Sequence, residues 1–490
     1  MKKQCMILLF FLGPAALFAQ TQFNNFISRV NSLSSNPSAQ TAVIDSFLNS
    51  AKSKGIPFIE NNTANFIYRG YAAEVSVAGD FNGWNGTANK MTRLSNTDFF
   101  YYSRDFEPNA RVDYKLVLPG NNWILDPLNP HQISGGYGPN SELAMPGYIQ
   151  PWEIAYKAGI KHGTIEERNI YSINAAATYQ LRIYLPPGYN PASSAVYPTV
   201  YFQDGFEYMS LGSAVNIIDN LLDSNSIRPF IAVFVQPNNR NEEYAYGKRN
   251  QYRLFFVNEL VPFIDSLYRT AKNPAQRLVL GDSFGGNISA LIAFNHPDVF
   301  GNTGQQSGAY WPNSYEAASV ISSSHSPLVK LFSVWGTYED LYQFWRPFKD
   351  SLNNKGYQLK WAEYPEGHSW GLWRATLDDM LEYFFPANPT NVSENKQTQE
   401  LCQLRLMPNY PNPFNPSTSI RFQLPEACHV RLSLFNLLGK EIAVLLDTDL
   451  PAGVHLYNLR SDEFRLSSGT YYYHLRAGGN LRSGKMVLLK

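Results

Sequence analysis

The segment Gly281-Asp282-Ser283-Phe284-Gly285 constrains this chain more than any other. It follows the apolar run Arg277-Leu278-Val279-Leu280 and precedes a helix-like stretch, Asn287 to Phe294. Gly-x-Ser-x-Gly between a buried strand and a helix has the form of a nucleophile elbow. The turn forces its serine into strained backbone angles, and the flanking glycines leave room for it. Ser283 then stands at a helix N-terminus, where developing negative charge is stabilised. Around it, residues from about 160 to 386 alternate short β-branched or aromatic runs with helical stretches, the pattern of an α/β domain.

A serine nucleophile needs a base, and the base needs an orienting acid. In an elbow-bearing fold the chain order is serine, acid, histidine. Three histidines follow Ser283 within this stretch: His296, His325 and His368. His296 ends the helix after the elbow and is too close in sequence to swing back. His325 sits in a polar Ser-rich loop. His368 lies in Pro365-Glu366-Gly367-His368-Ser369-Trp370, just past the strand-like run Lys360 to Tyr364, which makes it the expected base. The acid follows the strand Leu331 to Trp335, in the turn Gly336-Thr337-Tyr338-Glu339-Asp340. Neighbouring side chains on a turn diverge, so only one carboxylate can face His368. Asp340 is the preferred reading, with Glu339 the alternative. An oxyanion hole needs two backbone donors. Phe284 supplies one. The loop Gln203-Asp204-Gly205-Phe206 after the strand Tyr197 to Phe202 is expected to supply the other through Phe206, with Gly205 allowing close approach to a substrate.

At 490 residues the chain is too long for this domain alone; roughly 150 residues per domain suggests about three. Residues 1–19 carry a short basic start, an apolar run from Met6 to Leu12 and a small-residue site ending at Ala19, the features of a signal peptide. Nothing later approaches 18 unbroken apolar residues, so no membrane span is expected once the signal is removed. Residues 20–62 show helical periodicity, and 65–148 read as short strands punctuated by turns. Residues 387–403 are a polar linker, and 404–490 return to alternating strands that suggest a small β-sandwich. The hydrophobic share of 44% excludes wholesale disorder. Forty basic against forty acidic residues leave no excess to neutralise phosphates, which argues against a nucleic-acid partner. Cys402 and Cys428 remain after signal removal, and no Cys/His cluster has structural zinc spacing.

Phe202-Gln203-Asp204-Gly205, Arg240-Asn241-Glu242-Glu243-Tyr244, the elbow, Gln306-Ser307-Gly308-Ala309-Tyr310-Trp311 and Gly367-His368-Ser369-Trp370-Gly371-Leu372-Trp373-Arg374 follow one another over about 160–386. In this order they resemble the esterase family of α/β-hydrolases that includes enterochelin, feruloyl and acetyl-xylan esterases. The resemblance implies a doubly wound, mostly parallel sheet and a Ser–His–acid ester hydrolase with no metal and no cofactor. It also implies a substrate site lined by Asp204, Gly205, Arg240, Trp311 and Trp370. The strand-rich piece, with Gly79-Asp80-Phe81-Asn82-Gly83-Trp84 and Trp123-Ile124-Leu125-Asp126-Pro127, resembles an immunoglobulin-like early-set carbohydrate module of the glycogen-binding type. That likeness implies Trp84, Lys115, Trp123 and Asn140 as sugar contacts; the competing reading is a structural cap on the hydrolase. The run Asn409-Tyr410-Pro411-Asn412-Pro413-Phe414-Asn415-Pro416 and the terminal Lys485 to Lys490 resemble a type IX secretion sorting domain, which implies that machinery as a partner and an extracellular or outer-surface location.

Together these imply a secreted serine ester hydrolase acting on acetyl or feruloyl groups carried by glycans. A siderophore-type ester is the alternative within the class, and a non-catalytic glycan-binding surface protein the alternative outside it.

Overall fold

The computed structural model describes residues 21–387 and 405–490, apart from 53–54, 137, 325–328, 408, 410, 425–426, 438 and 452. The signal segment, His325, Cys402 and almost all of the linker lie outside the described residues. The chain divides after Asn388 into two compact units.

The first unit opens with two helices, Gln22–Ser32 and Pro37–Lys52, the first capped by the Thr21 side chain accepting from the Asn24 amide. Phe23, Phe26, Val30, Ile44, Phe47 and Leu48 recur at helical spacing and are buried. They pack against Phe58, Ile67 and Phe99, so the helices cover a sheet rather than stand alone. The helical lead-in ends sooner than its sequence suggests. Phe58–Glu60 is already a strand, paired antiparallel with Thr63–Arg69. The following strands build two sheets of a sandwich, one around Thr63–Arg69 and Phe99–Asp105, the other around Ser76–Gly79, Arg111–Leu118 and Gly138–Ala144. Alternating residues such as Phe66, Val77, Phe100, Val112, Tyr114 and Leu143 fill the space between them.

An eight-stranded sheet follows. Thr164–Ser172 and Ala177–Leu185 form an antiparallel edge. Six parallel strands continue it in the spatial order Ile231–Val235, Thr199–Phe202, Arg277–Asp282, Asn302–Gln306, Lys330–Gly336 and Leu359–Tyr364. The central strands Ile231–Val235, Thr199–Phe202 and Arg277–Asp282 are buried throughout and read as largely apolar runs rather than alternations, whereas Asn302–Gln306 is buried but polar and the edge strand Leu359–Tyr364 only partly buried. Two apolar clusters lie on opposite faces. One includes Tyr252, Ile288, Trp335 and Trp345; the other includes Tyr208, Leu221, Leu372 and Met380. The parallel strands all end toward the same rim, which brings the elbow, the acid turn and the His368 loop together.

The second unit is a separate sandwich of three and four strands, its core built from Ile420, Phe422, Leu432, Leu434, Tyr473 and Met486.

Candidate active site

Ser283 follows the strand Arg277–Asp282 and directly precedes the helix Phe284–Asn295. Its φ of 51° and ψ of −117° are strained for a residue with a Cβ. Neighbouring strands hold that strain: the Ser283 amide donates to Gln306 O at 2.9 Å, and Ser283 O accepts from the Ala309 amide at 3.0 Å. Gly281 is required because the backbone of Gly285 occupies the place a Cβ would take.

His368 Nε2 lies 2.9 Å from Ser283 Oγ, and His368 Nδ1 lies 2.5 Å from Glu339 Oε2. Hydroxyl, imidazole and carboxylate therefore form one continuous line. His296 is held elsewhere, at the far end of the elbow helix against Arg253. The carboxylate corrects the preferred reading: Glu339, not Asp340, faces the histidine. Glu339 is buried, with its other oxygen accepting from Ser307 Oγ at 2.8 Å and the Gly336 amide at 2.7 Å. Asp340 is exposed and sits at the N-cap of the helix Leu341–Asn354. The turn directs the Glu339 side chain inward and leaves that of Asp340 at the surface, where it makes no capping bond.

Ser307 lies in the motif Gln306 to Trp311 but has no role assigned there, and in the structure it anchors the acid. Its hydroxyl accepts from Trp373 Nε1 at 3.0 Å, so its own proton goes to Glu339. Trp373 also presents its ring edge-on to His368, with centroids 5.1 Å apart. The sequence signal for it is the motif Gln306 to Trp311, whose Ser-Gly pair directly follows the strand Asn302–Gln306.

Phe284 begins the elbow helix, and Phe206 lies in the first turn of the helix Gly205–Ser210, where amides have no partner within their own helix. The two helix starts are neighbours, since Gly285 packs against Gln203 and Asp204. Asp204 is buried and takes the Arg240 guanidinium at 2.7–2.9 Å. Burial raises its carboxyl above the usual range, and Arg240 opposes that rise. Arg240, half-buried between Asp204 and the ring of Phe284, is first of all the counter-ion of that acid. Two of the expected substrate contacts, Gly205 and Trp370, are packed inside the domain. Gly205 is pressed against the backbone of Phe234 and Val235, so its missing side chain serves helix-on-strand packing. Trp370 is buried edge-on against Tyr208 and Trp373 in the core.

A cavity of about 1020 Å³ opens beside His368. Its walls carry Tyr310, Trp311, Tyr315, Tyr338, Phe344 and Phe348 from the α/β domain, and Trp84 from the sandwich. Trp311 is 46% exposed, a large apolar ring left open at the mouth. The lining includes the carboxyl groups of Asp80, Glu339 and Asp340 together with His368, and no lysine or arginine; burial and the neighbouring Asp113 push the Asp80 carboxyl up to about 7. Trp84 is held there by its Nε1–H donating to Asp80 Oδ1 at 3.0 Å. Trp123 is next to it, with ring centroids 6.4 Å apart and planes tilted by 30°. Lys115 and Asn140 are both half-buried, and Asn140 spends its amide on Asp113 at 3.0 Å.

Residues 174–384 match the family model described as Putative esterase. This central domain is an esterase domain. The chain is accordingly a carboxylic ester hydrolase. Residues 55–128 match carbohydrate-binding module 48, the isoamylase N-terminal domain, and 409–489 match the secretion system C-terminal sorting domain. The sorting domain marks the esterase for secretion to the extracellular space or outer surface. No helix among the described residues is long and apolar enough to cross a membrane. The esterase is 28% identical over 236 residues to the uncharacterized protein YjcH of Bacillus subtilis, covering 45% of this chain and 98% of that one. It is also 28% identical over 220 residues to an endo-1,4-beta-xylanase/feruloyl esterase of Xylanibacter ruminicola, covering 42% of this chain but only 30% of that protein. Among solved structures, an enterobactin esterase from Shigella flexneri matches with a TM-score of 0.56 at 20% identity, over 66% of this chain and 92% of that one. The ferric enterobactin esterase of Salmonella typhimurium matches with a TM-score of 0.56 at 19% identity, over 66% and 93%. At such identities these two show a shared fold.

Proposed function

We propose that this esterase cleaves aromatic acyl esters carried on glycans, using Ser283 as nucleophile, His368 as general base and acid, and Glu339 as the acid that orients it. The observation that carries the reading is the unbroken line from Ser283 Oγ through His368 to Glu339. In the first step His368 Nε2 takes the Ser283 proton as Oγ attacks the ester carbonyl. The resulting oxyanion sits against the amides of Phe284 and Phe206, and the N-terminus of the elbow helix adds its positive end. Collapse expels the alcohol, which leaves with the proton from His368. Water, deprotonated by the same histidine, then frees the acid from Ser283. Glu339 holds the tautomer with its proton on Nδ1 and stabilises the imidazolium formed at each transfer. The sheet with helices on both faces is, in this reading, the doubly wound α/β-hydrolase frame.

The cavity supports an aromatic acyl group over an acetyl one. Seven aromatic rings line it, suited to stacking a planar arene, and its volume is far larger than an acetyl group fills. A ferric catecholate is an anion, and the lining offers it Glu339 and Asp340 but no lysine or arginine. Export, the carbohydrate-module match and the feruloyl esterase relative favour an acyl group on a polysaccharide. The deciding experiment compares kcat/KM for methyl ferulate, acetyl-xylan and enterobactin, with Ser283→Ala as control. Methyl ferulate should lead. Faster turnover of enterobactin or acetyl-xylan sinks the substrate assignment, and an active Ser283→Ala sinks the mechanism.

A further inference from the structure

The sandwich and the α/β domain meet at the loop that carries His368. The strand Arg111–Leu118 of the sandwich begins beside that loop, and the Arg111 amide donates to Pro365 O at 3.1 Å. The Arg111 side chain is fully buried and divided among both partners. Its Nη1 donates to Ser369 Oγ at 3.0 Å, immediately after His368. Its Nε donates to Glu142 at 2.6 Å, and its Nη2 lies 2.7 Å from Asp113, an ion pair out of line for a hydrogen bond. Two glycines of Gly367-His368-Ser369-Trp370-Gly371 are explained by this contact. A Cβ on Gly367 would collide with the Asp80 carboxylate, and one on Gly371 with the Arg111 guanidinium. On its other side the same loop is tied to the acid turn, because the Tyr338 amide donates to Glu366 O at 3.0 Å. Tyr338 itself donates its hydroxyl to Glu107 of the sandwich.

We propose that Arg111 is a positioning residue of the ester site: by holding Ser369 and the backbone at Pro365 it sets the place of His368, so that turnover depends on the sandwich being docked. This rests on the reading of Ser283, His368 and Glu339 given above. A buried guanidinium with an acidic partner on its own strand would satisfy its charge without Ser369. The crossing bond and the two glycines instead shape the loop around it. An error of about 1 Å in the base costs on the order of 10²-fold in rate.

The test uses the full chain and p-nitrophenyl acetate. Arg111→Lys keeps the charge but loses the fork, and kcat should fall about 10²-fold with KM within about threefold. Fluorophosphonate labelling of Ser283 should slow in parallel. Ser369→Ala should lower kcat roughly tenfold, and Ser369→Thr, which keeps the hydroxyl, should restore it. If Arg111→Lys does not fold, the Ser369 pair decides. Ser369→Ala with wild-type kcat and labelling rate, and only a lower melting temperature, would overturn the proposal and leave a plain structural contact. Ser283→Ala and His368→Ala run alongside. Activity in either removes the underlying reading and this proposal with it, whereas inactive controls beside an unperturbed Ser369→Ala remove this proposal alone.

Discussion

Replacing Glu339 by glutamine tests the site at its most defined point. Glu339 Oε1 receives two donors, the Ser307 hydroxyl at 2.8 Å and the Gly336 amide at 2.7 Å. Both are committed: the Ser307 oxygen already accepts from Trp373, and an amide can only donate. A glutamine must therefore keep its carbonyl oxygen there and turn its NH₂ toward His368 Nδ1. The ring then has to accept at Nδ1 and carry its proton on Nε2, facing Ser283, where it cannot act as a base. Loss of the negative charge adds to this, since nothing then offsets the imidazolium of the transition state. Amide replacement in such triads lowers kcat by about 10⁴, or about 5.5 kcal/mol. Asp340→Asn should stay within about threefold of wild type, because Asp340 is exposed, does not face His368 and makes no side-chain capping bond. Initial rates with p-nitrophenyl acetate, from proteins of equal circular dichroism, give the comparison. Glu339→Gln within tenfold of wild type, or a larger loss in Asp340→Asn, would refute the assignment.

Other outcomes follow from the same geometry. Trp84→Ala removes a cavity wall and should raise KM for methyl ferulate roughly two- to tenfold while leaving p-nitrophenyl acetate nearly unchanged; equal effects on both esters would make Trp84 structural. Trp123→Ala should leave both small esters unaffected and weaken retention on insoluble xylan, and a loss of small-ester turnover instead would mark it as part of the cap. Glu366, buried beside Arg111 and Arg374 with Asp113 and Glu142 near, has its carboxyl pushed up to about 7 from 4.5, chiefly by burial and against the pull of the two arginines. The folded chain thus holds a proton that the unfolded chain releases, so stability falls as pH rises from about 4.5 to 7 and the loss is complete above that, up to about 3 kcal/mol. Glu366→Gln should therefore raise the melting temperature relative to wild type at pH 8 and change it little at pH 4.5; the opposite pH trend would show the arginines outweigh desolvation.

The elbow was legible because its constraints are local. Glycines, strand and helix lie within a few residues of Ser283, and the strained φ of 51° follows from that arrangement. His368 was legible because chain order and strand ends restrict the candidates, and the domains were legible because alternating and helical periods differ. Trp370 shows the limit of motif adjacency. It is two residues from the base, yet the helix it starts turns it into the core.

The choice between Glu339 and Asp340 could not be made from the chain alone. Both are acids in one turn, and the decision rests with Ser307, 32 residues away, and Trp373, another 66 from that serine. The sandwich posed the same difficulty on a larger scale. Its tryptophans resemble sugar contacts, but docking turns Trp84 into the wall of the ester cavity and sends Arg111 258 residues along the chain to Ser369. Local spacing in the sequence singled out Ser283 and His368 as candidates and set the order of the pieces along the chain. Tertiary packing decided that Glu339 and not Asp340 meets His368 and that Trp84 lines the cavity, because both depend on donors and surfaces that come together only after burial has selected among side chains equivalent in sequence.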